Sequence, residues 1–110
     1  MNEPADADAP APKQPPPEGA IVRVLPIVNS KGLHARAAAQ FVLTVEKFEG
    51  SAAVTVTRGH ESVGGTSIMG LLMLSAGPGT SITVTATGPK AAEVMAALEA
   101  LVAGRFGEGE

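Results

Sequence analysis

The chain has no cysteine, no tryptophan and no tyrosine, and its only aromatic side chains are Phe41, Phe48 and Phe106. Without a thiol it can form no disulfide, no thiolate nucleophile, no cysteine-ligated zinc site and no cysteine-held iron–sulfur cluster. His34 and His60 are the two histidines, one short of a three-histidine zinc centre, so most metal chemistry is excluded with them and no metal site is expected. Three phenyl rings leave almost no surface on which nucleobases could stack. No run reaches the ~18 apolar residues of a membrane-spanning helix, and the opening Met1-Asn2-Glu3-Pro4 lacks the basic and apolar regions of an export signal. The expectation is a cytoplasmic protein with no membrane partner, and 110 residues leave room for one domain.

Residues 1–20 hold six of the nine prolines and no Val, Ile, Leu or Phe. Such a segment buries too little apolar surface to offset the entropy of ordering it, and reads as a disordered Pro/Ala-rich acidic tail. Lys13 stands there against Glu3, Asp6, Asp8 and Glu18, which is the whole formal charge of −3. The rest of the chain is neutral, with seven basic and seven acidic side chains, and so offers no electrostatic footprint for nucleic acid or anionic lipid. A folded, monomeric domain is expected over 21–106, with a short C-terminal tail over 107–110.

Residues 21–28 are rich in Val, Ile and Leu and read as a strand, and Pro26 within it removes a ladder donor, which places that strand at a sheet edge. From Ala35 to about Phe48, the residues Ala38, Phe41, Val42, Val45 and Phe48 recur at helical spacing, and Gly50 ends the run. Residues 52–57 and 62–63 form a hairpin around Arg58-Gly59-His60-Glu61, and Thr66-Ser67 caps a two-turn apolar helix from Ile68. Residues 80–86 alternate as a half-buried strand with Ile82, Val84 and Ala86 inward. Gly88-Pro89 then opens a helix whose buried stripe is Ala91, Val94, Met95, Leu98, Leu101 and Val102, with Gly104 as its stop. The order β-α-β-β-α-β-α predicts an α/β (α+β) open-faced two-layer sandwich with an antiparallel sheet and three helices on one face.

The sharpest local feature is Gly32-Leu33-His34-Ala35-Arg36, which sets an imidazole at the first turn of a predicted helix. A helix start presents unpaired N–H groups and the positive end of the macrodipole, both of which favour an anion. A phosphoryl group on a ring nitrogen could accept from the amides of Ala35, Arg36 and Ala37, while the Arg36 guanidinium added charged donors. Composition alone favours the plainer reading, in which His34 is merely a helix-start residue. His60 sits in a turn beside Glu61 and reads as a solvated side chain.

On the segments Gly32-Leu33-His34-Ala35-Arg36-Ala37-Ala38 and Thr66-Ser67-Ile68-Met69-Gly70, the chain resembles the histidine-containing phosphocarrier protein (HPr) family of the bacterial phosphoenolpyruvate-dependent phosphotransferase system. The resemblance runs from about Val22 to Val102. It implies a four-stranded sheet of order 1-4-2-3, and a carrier rather than an enzyme: His34 takes a phosphoryl group on Nδ1 from enzyme I and passes it to a histidine of an enzyme IIA, in a sugar or a nitrogen branch, while Arg36 steadies the phosphoryl oxygens and no metal or bound cofactor is required. The family often has Pro after the Arg; here that residue is Ala37, which restores an N–H at the first turn.

Ser67 has two readings. Its hydroxyl caps the short helix, and the resemblance also implies phosphorylation by an HPr kinase/phosphorylase in bacteria that have one. The short helix carries more apolar residues than one face can bury, so Ile68, Met69 and Leu71 are expected to form a partner-docking patch. A regulatory binding module, whose phosphorylation state gates association without a carrier role, is the alternative to a phosphoryl carrier.

Overall fold

The computed structural model of the chain describes residues 19–108. The expected tail over 1–20 lies outside the described residues except at its last two positions. The elements are β1 (Ile21–Pro26), α1 (Ala35–Glu46), β2 (Ala53–Arg58), β3 (Glu61–Gly64), α2 (Ile68–Met73), β4 (Ser81–Thr87) and α3 (Ala91–Ala103), closed by a 3-10 turn over Arg105–Gly107. The sheet order is β1-β4-β2-β3, with every neighbouring pair antiparallel. β1 therefore pairs with β4 alone, and Pro26, opposite Ser81, ends the strand two residues earlier than its apolar run predicts. No described helix is long and apolar enough to cross a membrane.

Strand alternation divides the sheet into a dry and a wet face. Leu25, Val54, Val56, Ile82, Val84 and Ala86 are buried, whereas Val24 across from Thr83, and Thr55, face out. The helices cover the dry face. Helical spacing brings Ala37, Ala38, Phe41, Val42 and Val45 of α1 inward, together with Ala91, Val94, Met95, Leu98 and Val102 of α3. Phe48 lies beyond the end of α1 and is only partly buried, as is Leu101. Full burial of a side chain such as Phe41 contributes about 1.5–3 kcal/mol.

Leu33 ties down the loop between β1 and α1 just ahead of the start of α1. Leu33 is buried and donates its N–H to the Ala76 carbonyl at 2.9 Å, which straps the loop to the chain entering β4. Gly32 makes that approach possible. It has φ +68°, and a Cβ there would stand 2.7 Å from the Ala76 carbonyl oxygen and 2.8 Å from Gly77 Cα, which are backbone atoms that cannot swing aside.

At the other end, α3 stops at its Gly104 cap and the chain reverses. Arg105, Phe106 and Gly107 take φ values of 61°, 55° and 76°, and two of these are not glycine. A left-handed conformation costs roughly 1–2 kcal/mol for such a residue. Burial of the Phe106 ring offsets that cost and anchors the turn. Residues 107 and 108, read from sequence as part of a tail, are thereby laid over the loop that carries His34.

Candidate functional site

His34 is the N-cap residue of α1, in extended conformation, and its carbonyl accepts the first helical hydrogen bond from Ala38 N–H at 2.8 Å. The amides of Ala35, Arg36 and Ala37 precede that bond and point out of the helix start. The Arg36 amide donates to Nδ1 of His34 at 3.3 Å, so the imidazole itself stands where a Ser or Asp cap commonly does. An accepting Nδ1 carries its lone pair toward the helix start, and the ring proton is then on Nε2. Nε2 donates to Oε2 of Glu108 at 2.5 Å. The ring is partly buried, its side chain 27% exposed.

Asn29 completes the arrangement from below. It is fully buried, and its amide Nδ2 donates to the Gly32 carbonyl at 2.8 Å and to Glu108 Oε2 at 3.0 Å. The hydrogen bond from His34 holds the Glu108 carboxyl below its ordinary value of 4.5, against the opposing effect of its burial, with Asn29, the His34 charge and Lys31 adding to the lowering. A shallow cleft beside the ring is lined by Ser30, Lys31, Arg36, Gln40, Phe106, Gly107 and Glu108. Lys31 and Arg36 outweigh the Glu108 carboxylate in this cleft, and with the amides at the start of α1 close by it suits an anion that carries several oxygens. Among the described residues no cluster of three or more His, Asp and Glu side chains is placed to hold a metal.

The family model described as "PTS HPr component phosphorylation site" matches residues 21–104. The chain belongs to the HPr family. It is 48% identical over 84 residues to the phosphocarrier protein HPr of Neisseria meningitidis, covering 76% of this chain and 92% of that protein. It is also 37% identical over 88 residues to the phosphocarrier protein NPr of Shewanella violacea, covering 80% of this chain and 94% of that one. Among solved structures, HPr from Thermoanaerobacter tengcongensis superposes with a TM-score of 0.76 at 34% identity, over 82% of this chain and 99% of the other. Family membership supports a phosphocarrier role in a phosphotransferase system.

Of the other residues singled out in the HPr-like sequence, Ser67 is exposed and is the N-cap of α2, its Oγ accepting from Gly70 N–H at 3.0 Å. A Cβ on Gly70 would stand 2.8 Å from Val63 Cβ and 2.9 Å from Ser67 Oγ, so glycine there lets α2 keep both its cap and its seat on β3. Ile68 and Met69 are exposed, Met69 by 67%. Leu71, expected with them on the docking patch, is fully buried. It shares the inward stripe with Leu74 three residues on, whereas Met69 and Met73, four apart, share the outward one. Met73 takes its place on the exposed side. His60 is exposed in the hairpin turn.

Asn29, Glu108 and Met73 were not legible as site residues. Met73 had a signal in its spacing from Met69. The Glu108 contact joins residues 74 positions apart, and no local pattern marks it.

Proposed function

We propose that His34 is the phosphoryl acceptor of this carrier. It takes the group on Nδ1 from a phosphohistidine of enzyme I, itself charged by phosphoenolpyruvate, and hands it to a histidine of an enzyme IIA, all within the cytoplasm. The observation that carries this reading is the aim of Nδ1: its lone pair faces the amides at the start of α1. In an in-line transfer the Nδ1 lone pair forms the new P–N bond while the donor's P–N bond breaks and its electron pair stays with the donor ring. The phosphoryl oxygens then take the Arg36 amide in place of Nδ1, together with the amides of Ala35 and Ala37, and the Arg36 guanidinium opposes their charge. Ala37 contributes an N–H here that a proline could not.

A relay assay tests the proposal. With enzyme I and phosphoenolpyruvate the protein should take up one phosphoryl group, and should lose it on addition of an enzyme IIA. Using acceptors of the sugar and of the nitrogen branch separately identifies the branch by which one discharges it. Uptake without discharge to either acceptor would favour a gating module.

A regulatory reading is favoured by one further observation, the exposed hydroxyl of Ser67 at the start of α2. A kinase reaches this hydroxyl without unfolding the domain, and the added dianion stands beside the exposed Ile68 and Met69, which we take as the docking patch. With HPr kinase/phosphorylase and ATP, intact mass should rise by one phosphoryl group in the wild type and stay unchanged in Ser67→Ala. Loss of the cap lowers that variant's stability by about 1 kcal/mol, too little to unfold it. Equal uptake by the variant excludes this serine.

A further inference from the structure

Glu108 lies outside residues 21–104, the part of the chain the family model matches, yet its carboxylate is bonded to the ring that carries the proposed chemistry. Its position is built rather than incidental. Phe106 is buried, the backbone from Arg105 to Gly107 turns through three positive φ values, and the Glu108 side chain is only 16% exposed. Oε2 accepts from both His34 Nε2 and the fully buried Asn29 amide, while the other hydrogen bond of that amide goes to the Gly32 carbonyl. One side chain thus couples the carboxylate to the glycine turn that presents His34. Oε1, meanwhile, is buried without a hydrogen-bond partner among the described residues. A carboxylate left half-satisfied is a poor device for stability, and such a group calls for another explanation.

We propose that Glu108 is a positioning residue for phosphoryl transfer, which keeps the proton on Nε2 of His34 in both the free and the phosphorylated ring. The proposal rests on the reading of His34 as acceptor. In the free ring, donation from Nε2 to the carboxylate leaves the lone pair on Nδ1. When Nδ1 attacks, no proton has to leave: the Nδ1–P bond forms, the donor's N–P bond breaks, and the ring becomes a phosphoryl-imidazolium whose positive charge faces Glu108. In the onward step the acceptor nitrogen bonds phosphorus and the N–P electron pair returns to Nδ1. The leaving group is then a neutral imidazole with its Nε2 proton still in place. Had that proton been lost, the leaving group would be an imidazolate, which departs far less readily. The carboxylate is thus aligned with the ring's charge in every state of the cycle.

The charged groups around this contact are Lys31 from the β1–α1 loop and Arg36 from α1, and both line the same cleft as Glu108. Glu108 stays ionised through the neutral range, since its carboxyl lies below its ordinary value, chiefly through the His34 hydrogen bond.

The test uses the full chain charged by enzyme I and phosphoenolpyruvate, as wild type, Glu108→Gln and Glu108→Ala. Two quantities are read: the pH profile of hydrolysis of the isolated phosphoprotein, and the Nε2 proton resonance of ¹⁵N-histidine-labelled uncharged protein. In the wild type this proton should give a downfield, slowly exchanging signal, which disappears in Glu108→Ala. The falling limb of the hydrolysis profile should move to lower pH by about one unit in both variants, so that discharge to enzyme IIA slows up to roughly tenfold on the alkaline side. A merely structural role would lower the melting temperature and leave the profile in place. If Glu108→Ala keeps both the resonance and the profile, the inference is wrong while the carrier reading stands. If the wild type takes up no phosphoryl group at all, both fall together.

Discussion

His34→Ala is expected to take up no phosphoryl group from enzyme I and phosphoenolpyruvate under conditions that charge the wild type stoichiometrically. The loss should be complete rather than partial, because the side chain supplies the nucleophilic atom and not one donor among several. Removing a single oxyanion donor slows an enzyme by roughly 10²–10³; removing the atom that bonds phosphorus leaves no route. The variant should remain folded. What it gives up structurally is the 3.3 Å cap bond from the Arg36 amide, worth about 1 kcal/mol, and the bond from Nε2 to Glu108, while Asn29 still holds Glu108 from the other side. Heat denaturation and phosphate uptake measured on the same preparation separate the two effects. Residual labelling of a folded His34→Ala protein would point to another acceptor, with Ser67 and His60 the first to examine.

Gly32→Val should be the most damaging substitution near the site, and for a backbone reason. A side chain at φ +68° is strained in itself, by about 1–3 kcal/mol. The new Cβ would also meet the Ala76 carbonyl oxygen at 2.7 Å and Gly77 Cα at 2.8 Å, and forced overpacking adds about 1–3 kcal/mol. A central total near 4 kcal/mol corresponds to a melting temperature lower by roughly 15–30 °C for a domain of this size. Relief of the clash pushes the loop away from Ala76 and breaks the Leu33 strap, so the folded fraction should also transfer phosphoryl groups slowly. A melting temperature within roughly 2 °C of the wild type would show that the loop has another accessible path.

These two residues also mark how far the sequence could be read. Gly32 and His34 are neighbours in a short segment, and the helix after them declares its start through the spacing of Ala38, Phe41, Val42 and Val45. The edge position of β1 follows from Pro26, and the inward row Ile82, Val84, Ala86 follows from alternation; all three are fully buried. Periodicity works where a residue's fate is decided by neighbours three or four positions away. It fails for Leu71, because a six-residue helix crowded with apolar side chains does not reveal which of its stripes faces the core. It fails entirely for Glu108. That residue reaches His34 only because Phe106 finds the core and the backbone accepts left-handed angles after α3, and neither event leaves a periodic trace. Asn29 is silent for a similar reason: a polar residue just past a strand reads as a loop residue, and its burial depends on the carbonyl and carboxylate it bridges.

The central claim is that Nδ1 of His34 carries the phosphoryl group, and the most direct test is to find that group. Protein labelled with ¹⁵N-histidine, charged by enzyme I and phosphoenolpyruvate and kept at alkaline pH to preserve the bond, is examined for phosphorus–nitrogen coupling by NMR. The account predicts a single coupling, to Nδ1 of His34, with Nε2 of that ring and both nitrogens of His60 uncoupled. Phosphorus coupled to Nε2 of His34, to either nitrogen of His60, or to no histidine nitrogen at all would contradict it.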